Sequence, residues 1–233
     1  MIDVAFTRAD LRPADVAVVI DVLRATSTAT QALAAGYRSV LCVESVDVGL
    51  TLRGPGRVLA GERRCVRPPG FDQGNSPGEA AHCRGDELVL ATTNGAPAVI
   101  AATQSAPVVL LACLLNLDAV VAALEGADVQ IVCAGTDGAV ALEDVYVAGR
   151  ISARLRGRRT DAARVAERVA RSYPTALAAL AQSAGAEALR AAGLAGDIDD
   201  CAAESTLDVV GRVSGTVDGG VTVDRCRVPS FSA

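Results

Sequence analysis

Short apolar runs alternate with helix-patterned segments along the first two thirds of the chain. Residues 15–20 form a near-continuous apolar run, typical of a strand buried on both faces, and similar runs recur at 39–43, 87–91, 108–111 and 129–132. A segment with helical periodicity follows most of these runs after a short loop. Strands that alternate with helices in this way predict parallel βαβ units. We therefore predict an α/β fold with three layers, helices–sheet–helices (αβα), in which the sheet is mixed but largely parallel.

The pattern changes from residue 142 onward. Four successive segments predict helices, at 142–155, 161–172, 175–184 and 186–192. Two stretches near the end, 208–213 and 221–225, predict strands joined by a turn rich in Gly, Ser and Asp. We expect this terminal hairpin to return to the edge of the sheet as an antiparallel pair.

The length favours one domain over residues 1–233, with a catalytic α/β core over about 1–150 and a helical and β-hairpin part over 151–233. The helical part leaves two roles open, a cap over a site or a subunit contact in a homodimer.

Composition and charge exclude several classes of protein. The net charge of −5 argues against an electrostatic nucleic-acid surface, and no apolar run approaches the ~20 residues that span a bilayer. The N-terminus shows no basic region followed by a long apolar stretch, so no secretory signal is visible. The seven cysteines form no Cys-x-x-Cys pair, which fits reduced thiols. We expect a cytoplasmic protein without membrane or nucleic-acid partners.

A long polar loop follows the apolar run 57–60. It carries two acids, three arginines, an asparagine and three glycines before Ser76-Pro77-Gly78-Glu79, which predicts a helix start with a capping box. Loops longer than about 12 residues without structure of their own are usually functional or disordered. We interpret this loop as the floor of an active site.

Polar residues also follow the ends of the other predicted strands. They are Asp21, Arg24, Thr26, Glu62, Arg63, Thr92 to Gly95, Cys113, Asn116, the segment 133–138, Glu143 and Asp144. Ligands of open α/β sheets bind outside the carboxyl ends of the strands, so this convergence predicts a site. Structural roles stay open for many of these residues, as turn formers, surface ion pairs or helix caps. In particular, Thr26 or Ser27, Asn94 and Asn116 are each expected to cap a helix.

The residue types favour a metal and an anion. Carboxylates suit a hard cation, most often Mg²⁺, and arginines and helix N-termini suit phosphate. Zinc is disfavoured by the single histidine and the absence of cysteine pairs. The cysteine-phosphatase, Asp-x-Asp, Walker and dinucleotide-binding signatures are all missing. Spacing alone therefore predicts an anion and metal site without naming the reaction.

A set of motifs, in order, resembles the 2-phosphosulfolactate phosphatase (ComB-like) family from about residue 15 to 210. The motifs are Asp21-Val-Leu-Arg-Ala-Thr, Leu59-Ala-Gly-Glu-Arg, Gly70-Phe-Asp-Gln-Gly-Asn-Ser-Pro77, Thr92-Thr-Asn-Gly95, Leu115-Asn116, Cys133-Ala-Gly135, Leu142-Glu-Asp144 and Ala148-Gly149. The resemblance implies an α/β fold and Mg²⁺-dependent hydrolysis of 2-phospho-3-sulfolactate to sulfolactate and phosphate, a step of coenzyme M synthesis in that family.

The chain departs from the family pattern at several positions beside the expected site. A glycine is expected after Glu62-Arg63, where this chain has Arg64-Cys65. Ala112-Cys113 stands where Gly-Ser is usual, and the Thr92 motif lacks a terminal threonine. These departures bear on the identity of the substrate more than on the fold.

On this basis we assign candidate roles. The expected catalytic residues are Asp21, Glu62 and Asp72, with Asp72 orienting the attacking water. The expected Mg²⁺ ligands are two or more of Asp21, Glu62, Asp72 and Asp144. The expected substrate-binding residues are Arg24, Thr26, Arg63, Asn75, Ser76, Thr93, Asn94, Gly95 and Asn116. Two alternatives remain, a phosphatase for another small phosphorylated hydroxy acid and a non-catalytic anion-binding protein of the same fold.

Overall fold

The computed structural model describes residues 1–82 and 84–226 and contains a mixed sheet of nine strands within them. The strands are β1 Ile2–Ala5, β2 Val16–Ile20, β3 Ser39–Val43, β4 Arg57–Gly61, β5 Glu87–Ala91, β6 Val108–Ala112, β7 Val129–Cys133, β8 Val210–Val217 and β9 Gly220–Cys226. Most strands are apolar at nearly every position because helices cover both faces. The predicted α/β class is confirmed.

Ten α-helices pack on the two faces of this sheet in the described part of the chain. They are α1 Ala25–Ala35, α2 Val46–Thr51, α3 Pro77–Ala80, α4 Gly95–Ala102, α5 Leu117–Ala123, α6 Leu142–Arg154, α7 Asp161–Arg171, α8 Ala176–Leu180, α9 Ala184–Ala191 and α10 Gly196–Ala202. Helix α10 is not predicted by the sequence pattern. None of the described helices is long and apolar enough to cross a lipid bilayer.

The sheet consists of two parallel groups joined by a hairpin. The strand order is β1-β7-β2-β6-β8-β9-β3-β5-β4, with β1-β7-β2-β6 parallel on one side and β3-β5-β4 parallel on the other. The hairpin of β8 and β9 pairs antiparallel with β6 and with β3. The predicted antiparallel pair is therefore real, but its predicted place at the sheet edge is wrong. It fills the centre, where both of its outer edges find partners.

Three antiparallel steps separate β6 from β3, so the two parallel groups run in opposite directions along the ladder. Adjacent strands are rotated by about 20–25°, and the five steps from β2 to β5 therefore accumulate about 100–125° of twist. Helices α1 and α4 contact strands of both groups. The twist and these shared helices bring the loops after β2, β5 and β7 together.

Two large apolar clusters fill the space between the layers. One lies between the β1-β7-β2-β6 group and helices α5 to α10, and the other lies beneath α1 and α4. A smaller cluster holds Phe71, from the long polar loop, against β3, β4 and β5. The free thiols of Cys42, Cys113, Cys133 and Cys201 are buried and that of Cys65 is partly buried. Cys83 and residues 227–233, which belong to the predicted domain, lie outside the described residues.

Candidate active site

A pocket of about 260 Å³ opens where the loops after β2, β4, β5 and β7 face α9. Its lining residues are Asp21, Leu23, Arg24, Glu62, Arg64, Cys65, Asn75, Thr93, Asn94, Thr136, Asp137, Gly185 and Ala188. A larger and more open cavity of about 620 Å³ lies among α6, α7 and α8, but it contains none of the predicted site residues. We therefore take the smaller pocket as the candidate active site.

Asp21 lies at the end of β2 on a tightly braced backbone. The Thr26 hydroxyl donates to the Asp21 carbonyl at 2.9 Å and accepts from the Asp21 N–H at 3.0 Å. The Ala25 N–H donates to Asp21 Oδ1 at 3.1 Å, so Asp21, and not Thr26 or Ser27, satisfies the start of α1. Thr26 lies inside the helix and positions Asp21, so the expected cap is wrong. No described residue donates a hydrogen bond to Asp21 Oδ2.

The surroundings of Asp21 favour its protonated form. The pKa of Asp21 is raised to about 7, chiefly by burial and also by the carboxylates of Glu62 and Glu143, while the Ala25 N–H and Arg24 act in the opposite direction. A carboxyl group with a pKa near 7 can exchange protons at neutral pH. Perturbed groups of this kind in a pocket mark candidate catalytic residues.

Asp144 lies behind Asp21 and joins two loops. Its Oδ1 accepts from the Val22 N–H at 2.9 Å, and its Oδ2 accepts from the Gly135 N–H at 3.1 Å. Burial raises the pKa of Asp144 well above its usual value, and the carboxylates of Asp21 and Glu143 add to the effect. Asp144 therefore fixes the β2 and β7 loops around the pocket.

The N-terminus of α4 faces Asp21 at close range. A Cβ added at Gly95 would lie 2.5 Å from Asp21 Oδ2 and 2.4 Å from the Ala25 side chain, so only glycine fits there. The Thr92 hydroxyl accepts from the Ala96 N–H at 2.9 Å and takes the capping role predicted for Asn94. Asn94 instead accepts from the Asp137 N–H at 3.1 Å and links the β5 and β7 loops.

Glu62 holds two backbone segments at the pocket wall. Its Oε1 accepts from the Thr93 N–H at 2.8 Å, and its Oε2 accepts from the Cys65 N–H at 3.1 Å. Cys65 belongs to a tight turn in which Arg64 and Cys65 have φ of 52° and 65°. Left-handed backbone costs a non-glycine residue roughly 1–2 kcal/mol. This explains why a glycine is expected after Arg63, and Glu62 offsets part of the strain.

Arg24 is anchored by a residue that the sequence analysis missed. The buried Arg24 guanidinium donates to Asp197 Oδ2, and the Ser76 hydroxyl donates to Asp197 Oδ1 at 2.7 Å. Asp197 lies on α10, which has no strong helical pattern. Ser76 also caps α3, as predicted, but it reaches the pocket only through Asp197.

Two pocket-lining side chains keep buried polar atoms without a partner. Asn75 Oδ1 and Thr93 Oγ1 make no hydrogen bond with any described residue. Buried polar atoms are nearly always hydrogen-bonded, so these two are suited to contact a polar ligand. Both residues belong to the predicted substrate-binding set.

Seven predicted site residues lie outside the pocket lining: Thr26, Ser76, Gly95 and Asp144, described above, and Asp72, Asn116 and Arg63. Asp72 has a side chain that is 43% exposed, and its carboxylate accepts from the Leu59 N–H at 2.8 Å and from Arg53 at 3.2 Å. Asn116 is fully buried and uses its amide on the backbone of Cys113, Leu111 and Val209 instead of capping α5 with its side chain. Arg63 donates to the carbonyl of Glu62 at 2.8 Å.

The donor set fits a hard cation in part. Asp21, Glu143 and Asp144 are buried carboxylates whose negative charge a cation would compensate. The atoms they offer to a metal are all oxygens, which hard cations prefer. The described residues contain no group of three or more acidic, histidine or cysteine side chains that could hold a metal by themselves. Mg²⁺ usually takes one or two carboxylates and completes its shell with waters and substrate phosphate. Asp21 Oδ2 is the oxygen best suited to that arrangement.

Comparison with known proteins gives a consistent result. The family model for 2-phosphosulpholactate phosphatase matches residues 4–216. A probable 2-phosphosulfolactate phosphatase of Thermus thermophilus is 41% identical over 197 residues, which cover 81% of this chain and 83% of that protein. One of Deinococcus radiodurans is 41% identical over 218 residues, covering 87% and 91%. The 2-phosphosulfolactate phosphatase of Methanothermobacter thermautotrophicus is 36% identical over 186 residues, covering 79% and 80%.

The match spans the pocket, the helices that surround it and eight of the nine strands in whole or in part, with β9 outside it. It covers both loops that carry Asp21 and Glu62 and extends through α10, which supplies Asp197. The resemblance seen in the short motifs is thus a property of nearly the whole chain. The chain belongs to the 2-phosphosulpholactate phosphatase family.

Proposed function

We propose that this protein is a phosphoric monoester hydrolase that converts 2-phospho-3-sulfolactate and water to 3-sulfolactate and phosphate. The observation that carries the proposal is the family match over residues 4–216, in a chain whose pocket places an acid with a raised pKa at a helix N-terminus. A small phosphorylated anion is the substrate class that such a pocket suits, because N–H groups at a helix N-terminus favour phosphate.

We place the phosphoryl group in the pocket beside Asp21 and the loop that begins α4, because Gly95 and Asp21 are too close to admit it between them. The absence of a side chain at Gly95 lets the helix backbone approach this position closely. Thr93 Oγ1 and Asn75 Oδ1 supply further polar contacts from the wall and the floor. Arg24 adds positive charge, and Asp197 keeps its guanidinium in one orientation.

Asp21 moves the proton in this scheme. As the water oxygen attacks phosphorus, Asp21 accepts a proton from the water and the ester P–O bond breaks. The leaving oxygen of sulfolactate takes a proton from solvent, and Asp21 then releases its proton to solvent. A base with a pKa near the working pH is suited to this transfer. A carboxylate oxygen of Asp21 could instead attack phosphorus directly and form a phosphoenzyme, so both routes stay open.

Mg²⁺ is the cofactor we propose, held by substrate phosphate and by waters beside Asp21, which leaves the Asp21 carboxylate free to accept the proton. When bound, it would neutralise charge on the phosphoryl group. Glu62 and Asp144 have both carboxylate oxygens engaged by backbone N–H groups, so we assign them the positioning of the loops. Asp72, the water-orienting residue expected from the sequence, has its oxygens on the Leu59 N–H and the Arg53 guanidinium, so we assign it a loop-anchoring role. Coenzyme M synthesis, a homodimer and a cytoplasmic location stay predictions.

The test is phosphate release from 2-phosphosulfolactate with Mg²⁺ and with EDTA. Phospholactate, phosphoglycerate and an aryl phosphate serve as comparison substrates. We expect fast, Mg²⁺-dependent release that is greatest for 2-phosphosulfolactate. Equal or faster release from another ester would keep the chemistry and change the substrate. No release from any ester by folded protein would favour an anion-binding role.

A further inference from the structure

The turn from Arg63 to Val66 places the positively charged side chain of Arg64 in the pocket lining. The proposed reaction gives this side chain no role. Arg64 and Cys65 both line the pocket, and both have positive φ. Two backbone hydrogen bonds between Arg63 and Val66, of 2.9 and 3.0 Å, close the turn. Strained backbone of this kind persists only where the surrounding structure imposes it, and it clusters at functional sites.

The surroundings fix the turn from two sides. Glu62 accepts from the Cys65 N–H at 3.1 Å and from the Thr93 N–H at 2.8 Å, which ties the turn to the loop after β5. The Cys65 side chain packs against the apolar cluster that contains Leu189 and Ile198, from α9 and α10. Arg64 therefore extends from a backbone that is anchored on both sides of the pocket.

The two arginines in the pocket lining, Arg24 and Arg64, differ in whether an acidic residue compensates their charge. Arg24 is buried and its charge is compensated by Asp197. Arg64 is exposed, and its guanidinium makes no ion pair or hydrogen bond with another described residue. A guanidinium presents paired N–H donors that match an oxyanion such as a carboxylate or a sulfonate.

We propose that Arg64 is a specificity-determining residue that binds the acid group of the substrate that is not transferred. This inference rests on the proposed phosphatase function and specifies its substrate class, a phosphate ester with a second anionic group. Asp21 is buried and Arg64 is exposed, so Arg64 contacts the part of the substrate nearest to solvent. Both a sulfonate and a carboxylate have the required chemistry.

The test compares kcat/KM for three esters in the wild type, Arg64→Gly and Arg64→Lys. The esters are 2-phosphosulfolactate, 2-phospholactate and an aryl phosphate. Glycine removes the charge and suits the positive φ, so we expect the variant to fold with an equal or higher Tm. We expect its kcat/KM for 2-phosphosulfolactate to fall about tenfold relative to the aryl phosphate, through KM, with partial recovery in Arg64→Lys.

The pattern across the esters identifies the bound group. A parallel fall for 2-phospholactate assigns the carboxylate, and a fall confined to 2-phosphosulfolactate assigns the sulfonate. Arg67→Gln is the matched control because it removes a charge from the same loop outside the pocket lining, and the ratio should stay unchanged. An equal fall for all three esters, or no fall for any, would overturn the proposal.

A binding measurement separates this inference from the proposed function. If the wild type hydrolyses none of the esters, the proposed function fails, and calorimetric titration with 3-sulfolactate then tests Arg64 alone. Binding that weakens about tenfold in Arg64→Gly supports the inference. Equal binding by both proteins, or no binding by the wild type, overturns it.

Discussion

The loop after β2 and the loop after β4 both carry an aspartate, and the two aspartates have different surroundings. In the short loop 21–24, Asp21 is buried in the pocket wall, with one oxygen on the Ala25 N–H and the other without a donor from the described residues. In the long loop 62–76, Asp72 is 43% exposed and binds Leu59 and Arg53. The shorter loop thus presents to the pocket a carboxylate oxygen without a hydrogen-bond donor, whereas the carboxylate of Asp72 anchors its own loop.

We propose that burial, and not loop length, decides which of these two carboxylates takes part in the reaction. Removal of water raises the pKa of Asp21 to about 7, close to the pH at which it would accept a proton. Asp72, in contact with solvent and with an arginine, keeps the loop in place. The predictions below test this difference from several directions.

Asp21→Asn should produce the largest change in activity. Asparagine keeps the side-chain shape and an oxygen for the Ala25 N–H, so the fold should be retained. Loss of a general acid–base group usually lowers kcat by about 10²–10⁴-fold, and we expect a fall in that range. The measurement is steady-state phosphate release, with circular dichroism as the control for folding. Near-normal turnover by the folded variant would remove Asp21 from the mechanism.

Asp197→Ala should produce the largest loss of stability. Asp197 joins the two loops, because one oxygen binds Arg24 from the first and the other binds Ser76 from the second. Without it Arg24 is a buried charge lacking its partner, which typically costs about 3–5 kcal/mol of unfolding free energy. Urea unfolding measures the change.

The matched control for Asp197 is Asp199→Ala. Asp199 lies on the same helix and is exposed, so a change within about 0.5 kcal/mol is expected. If both variants lose the same stability, the ion pair with Arg24 has no special role and α10 is simply sensitive to mutation.

The dependence of stability on pH should distinguish Asp21→Asn from the wild type. The Asp21 carboxyl has an ordinary pKa of 3.8 when unfolded and about 7 when folded, so between these values the folded protein holds a proton that the unfolded chain has released. The contribution of Asp21 therefore falls as pH rises from about 4 to about 7, by at most about 1.4 kcal/mol per pH unit. The variant should lose less stability across this window.

Urea unfolding at several pH values measures the difference between the two proteins. Glu143 and Asp144 also have raised pKa values and act in the same direction. The Asp21 charge is one cause of the raised pKa of Asp144, so the difference measures Asp21 together with its effect on Asp144. Parallel curves would contradict the raised pKa. At pH 8, Mg²⁺ should raise the Tm of the wild type more than that of the variant if the ion lies beside Asp21.

The sequence predicts much of this fold because apolar runs and helical periodicity are local. The alternating pattern identifies the strands of both parallel groups and most helices to within a few residues. It does not reveal where the final hairpin inserts, because pairing of β8 with β6 and of β9 with β3 joins distant segments. The expectation of a single carboxyl edge is right that the loops after β2, β4, β5 and β7 meet, but wrong about the loop after β6, whose Asn116 lies apart from the pocket. It is also wrong about why the loops meet, since sheet twist and shared helices bring the two groups together.

The candidate site, like the fold, was predicted only in part from the sequence. Asp21, Arg24, Glu62, Asn75 and Thr93 line the pocket as expected. Asp197 was missed because its partner Arg24 lies 173 residues away, and no local pattern records a contact of that range. Arg64 was noticed only as a departure from a glycine, and its positive φ supplies the reason. Whether an aspartate is buried, like Asp21, or exposed, like Asp72, depends on packing that the sequence does not display.

Asp72→Asn should produce the smallest effect and is the sharpest check on the comparison. The substitution keeps an oxygen for the Leu59 N–H and removes the charge that binds Arg53 at a partly exposed site, so about 0–1 kcal/mol of stability should be lost. Because Asp72 does not line the pocket, kcat should stay within about threefold of the wild type, far from the fall expected of a general base. Phosphate release and urea unfolding of the same preparation measure both quantities. A hundredfold fall in kcat with unchanged stability would mean that the long loop moves Asp72 to the substrate during turnover, and burial in the resting protein would no longer identify the reactive acid.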